Sequence, residues 1–212
     1  MADRATGEFR LRDTGRMDLP AISFRPCIRE DLPLLAGWQA QPHVAPWWRE
    51  DPDLAALRER YLPCLDGRDP TELFILQAAG VPAGFFQRYL VADTPEWVAA
   101  LRGTGQPGVH TAAGIDYLIG DAALTGRGLG SAAIAAFTRL TLIRYPSAGL
   151  MAVAVLQENI ASWRALEKAG YHRCWAGELA SDDPSDQGPT YLYRRDRTKS
   201  EVGGTGDPGG SR

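Results

Sequence analysis

The stretch from Gly114 to Ser131, GIDYLIGDAALTGRGLGS, decides the fold. Its first half, GIDYLIG, is a short apolar run that carries one acid, Asp116, and it is typical of a buried strand. Its second half contains a glycine-rich turn, TGRGLGS, that leads into an apolar-periodic segment from Ala132 to Ile143. Such a turn at a helix N-terminus leaves backbone N–H groups unpaired, and the helix dipole also favours anions there. The stretch therefore predicts a strand, a phosphate-binding turn and a helix, with a carboxylate close to the bound ligand.

The flanking segments predict a mixed sheet with helices packed on it, an α/β (α+β) fold. Strands are predicted at 21–28, 71–79, 83–92, 114–120, 149–156, 171–179 and 189–194, and helices at 30–41, 51–65, 132–143 and 159–169. Asp51 is the expected N-cap of the second helix, with Pro52 at its first helical position. In the strand at 83–92, the alternation sets Phe85, Gln87 and Tyr89 against Phe86, Arg88 and Leu90, so one face is expected to be polar and to point into a site.

Two connections in this pattern are candidates for substrate contact. The segment 93–110 contains Glu96 and Trp97 and several Gly and Pro residues, and we interpret it as a long loop, either a substrate lid or a solvated surface loop. An acidic loop at 181–188, SDDPSDQG, joins the last two strands.

Composition bounds the function class. We expect one domain at 21–195, with disordered tails at 1–20 and 196–212. A net charge of −3 without a basic stripe argues against nucleic acid as a partner. The absence of any apolar run near the ~20 residues of a membrane span argues against a membrane partner.

Cysteine and histidine spacing argues against a metal. The three cysteines are far apart and form no CxxC pair, and the three histidines have no ligand spacing. We therefore expect no metal, no disulfide framework and a reducing compartment, and we predict a cytoplasmic protein that is a monomer or homodimer.

The order of motifs resembles the GNAT superfamily of acyl-CoA-dependent N-acetyltransferases. The pyrophosphate turn of that family, (R/Q)xxGx(G/A), matches 125–130, with Thr125 in place of the usual Arg or Gln. A later motif, Asn followed by a helix and EKxG(F/Y), matches Asn159 and 167–171. The resemblance implies a GNAT fold with a central, mostly antiparallel sheet and an acyl-CoA cleft between the fourth and fifth strands.

A closer resemblance is to the aminoglycoside 6'-N-acetyltransferases. The segments HVAPWW, RYLPCL, GFFQRYLVA, GIDYLIG, GRGLG and EKAGY occur in that order. The resemblance implies acetyl-CoA as cosubstrate, a small cationic amine as acceptor, direct attack in a ternary complex, and a role in antibiotic resistance.

The resemblance and the spacing together give a set of candidate site residues. Asp116 is the expected base, with the backbone N–H groups of Tyr117 and Leu118 as donors to the thioester oxygen. The expected cofactor-binding residues are Tyr117, Leu118, Ile119, Gly126, Arg127, Gly128, Leu129, Gly130, Ser131, Asn159 and Lys168. The expected substrate-binding residues are Trp47, Trp48, Glu50, Gln87, Tyr89, Glu96, Trp97, Asp116, Asp182, Asp183 and Asp186.

Departures from the family fall mainly on the acceptor side. Leu166 stands where many members place a tyrosine that protonates the departing sulfur. Ala154 and Gln187 stand where the aminoglycoside enzymes carry acids, and the neighbouring aspartates of the 181–188 loop are the expected replacements.

Other functions remain open at this point. One is a siderophore-type hydroxylysine acyltransferase, although that branch tends to carry histidine at the position of Asp116. Another is an N-acetyltransferase for a different small amine or a protein N-terminus. A third, of another class, is a non-catalytic acyl-CoA-binding sensor, which would not need Asp116.

Overall fold

The centre of the molecule is a seven-stranded sheet, as seen in a computed structural model that describes residues 19–181, 183–198 and 201. Its strand order is β1-β2-β3-β4-β5-β7-β6. The strands are β1 Ile22–Pro26, β2 Glu72–Ala78, β3 Val81–Leu90, β4 Ala113–Ile119, β5 Leu150–Leu156, β6 His172–Glu178 and β7 Pro189–Asp196. All neighbours are antiparallel except β4 and β5. The predicted mixed, mostly antiparallel sheet is confirmed.

Helices cover both faces of the sheet. They are α1 Leu32–Gln39, α2 Ala45–Trp48, α3 Leu54–Leu65, α4 Pro95–Gly103, α5 Leu129–Arg144 and α6 Ile160–Lys168. Buried side chains of α1 and α3 pack with Ile75, Phe85 and Leu118 in one core cluster. Those of α5 and α6 pack with Phe86 and Ile115 in another. Among the described residues, no helix is both long and apolar enough to cross a bilayer.

Consecutive residues of β3 and β4 point to opposite helical layers, as the period of two requires. Phe86 lies within an aromatic group on the α5 side, 5.1 Å from the ring of Phe137 and 5.6 Å from that of Tyr117. Phe85 lies on the α3 side, where it meets Tyr61 at 5.6 Å. These two rings fix the register that brings Gln87 opposite Asp116.

The sheet opens between β4 and β5. The two strands pair at a single position, Ala113 with Met151, near their N-terminal ends. From there they diverge, while β5 pairs along its whole length with β7 on its other side. The remainder of β4 therefore presents an unpaired edge, and the predicted cleft between the fourth and fifth strands is confirmed.

Two local predictions were wrong. The segment 93–110 is largely helical, with α4 beginning at Pro95, because its residues Ala100 and Leu101 bury an apolar face that a loop reading overlooks. The N-cap of α3 is Asp53 rather than Asp51, since the Asp53 side chain accepts from the Ala55 N–H at 2.8 Å. Asp51 instead accepts from the Asp53 N–H and shapes the preceding turn.

The N-cap of α3 gives a stability prediction. Asp53→Ala is expected to lower the free energy of unfolding by about 1 kcal/mol, because one N–H of the first turn loses its acceptor. Asp53→Ser should recover most of this loss, since serine is also a good N-cap. Urea denaturation followed by circular dichroism measures both, and equal stability of the alanine and wild-type proteins would contradict the assignment.

Candidate active site

A cleft of about 840 Å3 occupies the opening between β4 and β5. One wall is formed by Ile115, Asp116 and Tyr117 of β4, and the opposite wall by residues 153–156 of β5. The structure brings many of the predicted site residues into the lining: Trp47, Trp48, Glu50, Gln87, Tyr89, Glu96, Trp97, Asp116, Tyr117, Asn159, Asp183 and Asp186. Asp182 lies outside the described residues.

The glycine-rich turn lies next to this cleft. Gly126 and Gly128 have φ values of 72° and 92°, in the left-handed region that side chains disfavour, so the turn requires glycine at both positions. Within the described part of the chain, no backbone N–H from Gly126 to Ser131 donates a hydrogen bond to a protein acceptor. A side chain added at Gly130 would meet Ile119, the last residue of β4, at 3.9 Å. The row of free donors is therefore close to the end of the unpaired strand edge.

The ladder between β3 and β4 determines which backbone groups of β4 face the cleft. Gly120 N donates to Ala83 O, and Val91 N donates to Ala112 O, so hydrogen-bonded pairs recur at every second residue between them. By this alternation the Leu118 N–H points to β3, whereas the N–H groups of Tyr117 and Ile119 point to the opening. Leu118 is therefore not placed to donate to a ligand in the cleft, contrary to the expectation from sequence. Tyr117 and Ile119 are placed to do so.

Asp116 lies deep in the cleft, between two polar side chains of β3. Gln87 Nε2 donates to Asp116 Oδ2 at 2.7 Å, and the Tyr89 hydroxyl is 3.5 Å from Oδ1. Removal from water raises the pKa of Asp116 to about 6, and the hydrogen bond from Gln87 opposes that rise. A carboxylate in this state can both attract a cation and exchange a proton near neutral pH.

A second acid, Asp186, lines the same cleft from the loop after β6. Ser181 Oγ donates to its Oδ2 at 2.9 Å. Burial and then the charge of Asp116 raise the pKa of Asp186 to about 6. The two carboxylates therefore repel one another across the cleft, and a bound cation would relieve that repulsion.

Glu50 and Asp183 are paired within the protein by Arg60, a residue that the sequence analysis did not select. Arg60 contacts Glu50 Oε1 at 3.0 Å and Asp183 Oδ2 at 2.9 Å. Glu50 also accepts from Gln39 and Tyr61. Burial opposes ionisation of Asp183, but the hydrogen bond from Arg60 lowers its pKa overall. These two acids therefore bind Arg60 and hold the 183–187 loop against α3, whereas Asp116 and Asp186 form no ion pair with a described residue.

Three tryptophans also line the cleft. The Trp48 ring packs against Phe85 at 6.0 Å, and its Nε1 is 3.3 Å from the Tyr61 hydroxyl, which fixes the ring. Trp47 lines the cleft beside it, and Trp97 approaches from α4. The loop at 183–187 is held near α2 by Arg49, whose side chain donates to the carbonyl oxygen of Gln187 at 2.8 Å.

Comparison with known proteins agrees with this geometry. The family model described as Acetyltransferase (GNAT) domain matches residues 27–179, well over half of the chain. The chain belongs to the GNAT acetyltransferase family. It is similar to the aminoglycoside N(6')-acetyltransferase type 1 of Klebsiella pneumoniae, at 28% identity over 158 residues, 72% of this chain and 75% of that protein.

Solved structures of this family superimpose closely on the chain. Aminoglycoside acetyltransferase AAC(6')-Ib in complex with coenzyme A and kanamycin matches with a TM-score of 0.69 and 28% identity, covering 83% of this chain and 95% of that chain. AAC(6')-Ib with ribostamycin and coenzyme A matches with a TM-score of 0.69 and 26% identity, covering 89% and 99%. The resemblance predicted from the motifs is confirmed.

None of the three cysteines of this acetyltransferase lines the cleft described above. Burial raises the pKa of Cys27 and of Cys64 to about 12, and it also raises the pKa of Cys174. All three are therefore poor nucleophiles at neutral pH. None of them is therefore placed or activated to form an acyl-cysteine intermediate in this cleft.

Several of the predicted cofactor-binding residues do not line the cleft, and the positions that depart from the family pattern differ in where they lie. Lys168 is exposed at the end of α6, and the turn residues 126–131 lie beside the cleft rather than in it. Leu166 is fully buried in the core under α6. Ala154 lines the cleft, but its methyl side chain brings no charge to it. Gln187 does not line the cleft, whereas its neighbour Asp186 does.

Sequence reasoning missed Arg60 and Ser162. Arg60 opens the RYLPCL segment, but a single cation in a charged helix carries no signal of what it pairs with. Ser162 is the third residue after the N-cap Asn159, whose Oδ1 accepts from the Ser162 N–H at 3.2 Å. The Asn-x-x-Ser spacing is typical of a helix start, so a structural role accounted for Ser162 and gave no signal that its side chain also lines the cleft.

Proposed function

We propose that this acetyltransferase transfers an acetyl group from acetyl-CoA to a primary amine, the 6'-amine of an aminoglycoside, by direct attack in a ternary complex. The observation that carries the proposal is the position of Asp116, with its raised pKa, on the strand edge that ends beside the free N–H groups of 126–131. One strand thus connects an anion-binding turn to an acid in a cleft.

In this proposal acetyl-CoA lies along the edge of β4, from the glycine-rich turn to Asp116. Its pyrophosphate would bind the free N–H groups at the start of α5, with Arg127 able to add charge. The amide groups of its pantetheine arm would pair with the N–H and C=O groups of the β4 edge, as an added strand does. The N–H of Tyr117 is then the donor to the thioester oxygen as negative charge develops on it.

The acceptor amine would bind on the Asp116 side. An alkyl amine has a pKa of about 10.4 and is mostly protonated at neutral pH, so it must lose a proton before it attacks the thioester. Asp116 first attracts the ammonium group and then accepts that proton, directly or through water. Asp186 supplies a second negative charge for an acceptor with several amines, and the rings of Trp47, Trp48 and Trp97 offer faces to its sugar rings or cations.

The relatives indicate the acceptor class. The relatives above are named as aminoglycoside acetyltransferases, and two of their structures hold kanamycin or ribostamycin. Aminoglycosides are small, multiply charged amines, which suits the unpaired Asp116 and Asp186. We infer the same acceptor class for this chain, and a role in resistance; its cytoplasmic location stays a prediction.

A panel of acceptors tests the proposal. CoA release is measured with acetyl-CoA and, in separate reactions, kanamycin-type aminoglycosides, hydroxylysine and simple polyamines. Turnover is expected with aminoglycosides that carry a 6'-amine and not with analogues that carry a 6'-hydroxyl. Turnover with hydroxylysine alone would favour the siderophore-type alternative, and CoA binding without turnover of any amine would favour the sensor.

The environment of Asp116 also predicts a pH profile. Because the carboxylate form is the base and its pKa is raised to about 6, kcat/KM should fall as the pH drops through about 6. Gln87→Leu removes the hydrogen bond that lowers this pKa, so the acid limb should move to higher pH. The matched control is Gln77→Leu, the same substitution at a residue of β2 that does not line the cleft, and it should leave the pH profile unchanged. An acid limb that stays in place in Gln87→Leu would argue against Asp116 as the titrating base.

A further inference from the structure

The cleft contains a hydroxyl pair on the opposite face of the sheet from Asp116. Tyr117 Oη lies 2.8 Å from Ser162 Oγ, and both residues line the cleft. Tyr117 follows Asp116 on β4, so the two side chains point to opposite faces. Asp116 therefore lies on the α3 side with Gln87, whereas Tyr117 lies on the α6 side.

Both hydroxyls are held in place by the fold. The Tyr117 ring stacks on Phe86 with a centroid distance of 5.6 Å and an interplanar angle of 26°. Ser162 is fixed in the first turn of α6, where its N–H is capped by Asn159. The hydrogen bonds of Asp116 come from Gln87 and Tyr89 and not from this pair, so the two hydroxyls are available for another step.

The departing sulfur is the group that needs a partner on this side. When the amine nitrogen bonds to the acetyl carbon, the C–S bond breaks and its electron pair goes to sulfur. A thiol has a pKa of about 8.5, so sulfur can leave as a thiolate, and a hydrogen-bond donor in the cleft would stabilise the negative charge that develops on it.

The charged groups that act most strongly on Tyr117 include no cation that could stabilise a thiolate. Tyr171, Asp116 and Tyr193 are the titratable groups whose charges act most strongly on the Tyr117 hydroxyl, and none of the three is a cation. A neutral O–H group therefore remains as the donor. Burial raises the pKa of Tyr117 well above its usual range, so its hydroxyl keeps its proton at neutral pH.

We propose that the Tyr117 hydroxyl, oriented by Ser162, donates a hydrogen bond to the sulfur of CoA as the C–S bond breaks. Either hydroxyl of this pair can donate; in the proposed arrangement Ser162 donates to Tyr117 Oη, which leaves the tyrosine proton directed to the cleft. The amine proton goes to Asp116 and then to solvent, and the thiolate later takes a proton from solvent, so Tyr117 ends the cycle unchanged. The inference rests on the acetyl-CoA site proposed above, and the buried Leu166, one turn beyond Ser162, has no group for this task.

Titration of bound CoA tests this role without any acceptor. The thiolate absorbs in the ultraviolet, so the pKa of the CoA thiol is measured free and bound to the wild-type protein and to Tyr117→Phe. The phenylalanine variant keeps the ring stack and removes only the hydroxyl. We expect the bound thiol to have a pKa below that of free CoA in the wild type, and to ionise about tenfold less readily in Tyr117→Phe.

Steady-state kinetics provide the second readout. We expect kcat in Tyr117→Phe to fall about 10- to 50-fold, in the range for loss of one hydrogen bond to a charged group, with the KM of the acceptor unchanged. Ser162→Ala should shift both readouts in the same direction by a smaller factor. The control is Tyr191→Phe, because Tyr191 packs against Trp163 of α6 but does not line the cleft, and it should change neither readout.

The outcomes separate this inference from the proposed function. An unchanged bound-thiol pKa and kcat in Tyr117→Phe would overturn the role of Tyr117 while leaving the acetyl-CoA site intact. If aminoglycosides prove not to be acceptors, the thiol titration still decides the role of Tyr117. If the wild-type protein does not bind CoA, both proposals fail together.

Discussion

Replacement of Asp116 by asparagine is expected to lower kcat with an aminoglycoside acceptor by about 10²- to 10⁴-fold, the range for loss of a positioned general base. Asparagine has nearly the same shape and can still contact Gln87, but it cannot accept the amine proton or attract the ammonium group. Acetyl-CoA binding should be unchanged, because the anion-binding turn lies at the far end of β4. Initial rates and isothermal titration with acetyl-CoA measure the two effects separately.

The matched control is Asp93→Asn. Asp93 is exposed and lies outside the cleft lining, so the same change of charge there should leave both kcat and the affinity for acetyl-CoA at wild-type values. Full activity of Asp116→Asn would refute the base assignment. A loss of acetyl-CoA affinity in that variant would show instead that Asp116 holds the cleft together.

Gly130→Asp is expected to weaken acetyl-CoA binding by about 30- to 150-fold. Gly130 is in the first turn of α5, where a carboxylate favours the helix N-terminus. The same carboxylate would lie among the free N–H groups of 126–131 and repel a pyrophosphate by about 2–3 kcal/mol at partial exposure. The variant should therefore fold at least as stably as the wild type while it loses affinity, a combination that simple misfolding cannot produce.

Gly130→Asn separates charge from bulk in this experiment. Asparagine adds the same volume without the charge, and a Cβ atom at position 130 meets only Ile119, at an ordinary contact distance. Its acetyl-CoA affinity should fall much less than that of Gly130→Asp, and thermal unfolding should show both variants folded. Equal affinities for the two variants would argue that the phosphates bind elsewhere.

The sequence predicted the parts of the site that lie within single segments. The strand with Asp116, the glycine turn and the helix start at Asn159 each carry a local signal, because turn geometry and capping depend on a few neighbouring residues. The alternation around Gln87 and Tyr89 also placed them correctly on one polar face, since strand periodicity fixes direction.

Features that depend on contacts between distant segments could not be predicted from local sequence patterns. The direction of the Leu118 N–H follows from hydrogen bonds to β3 that no local pattern specifies. Arg60 joins Glu50 to Asp183, across a separation of more than a hundred residues, so two acids expected to bind substrate are already paired. The Tyr117–Ser162 contact likewise joins β4 to α6 only in the folded chain.

The identity of the acetylated amine tests the central claim most directly. The wild-type protein is incubated with acetyl-CoA and kanamycin, and the product is analysed by mass spectrometry and two-dimensional NMR. The account predicts a singly acetylated product with the acetyl group on the 6'-amine, formed together with one equivalent of CoA. Absence of any acetylated aminoglycoside, or acetylation at a different amine, would contradict it.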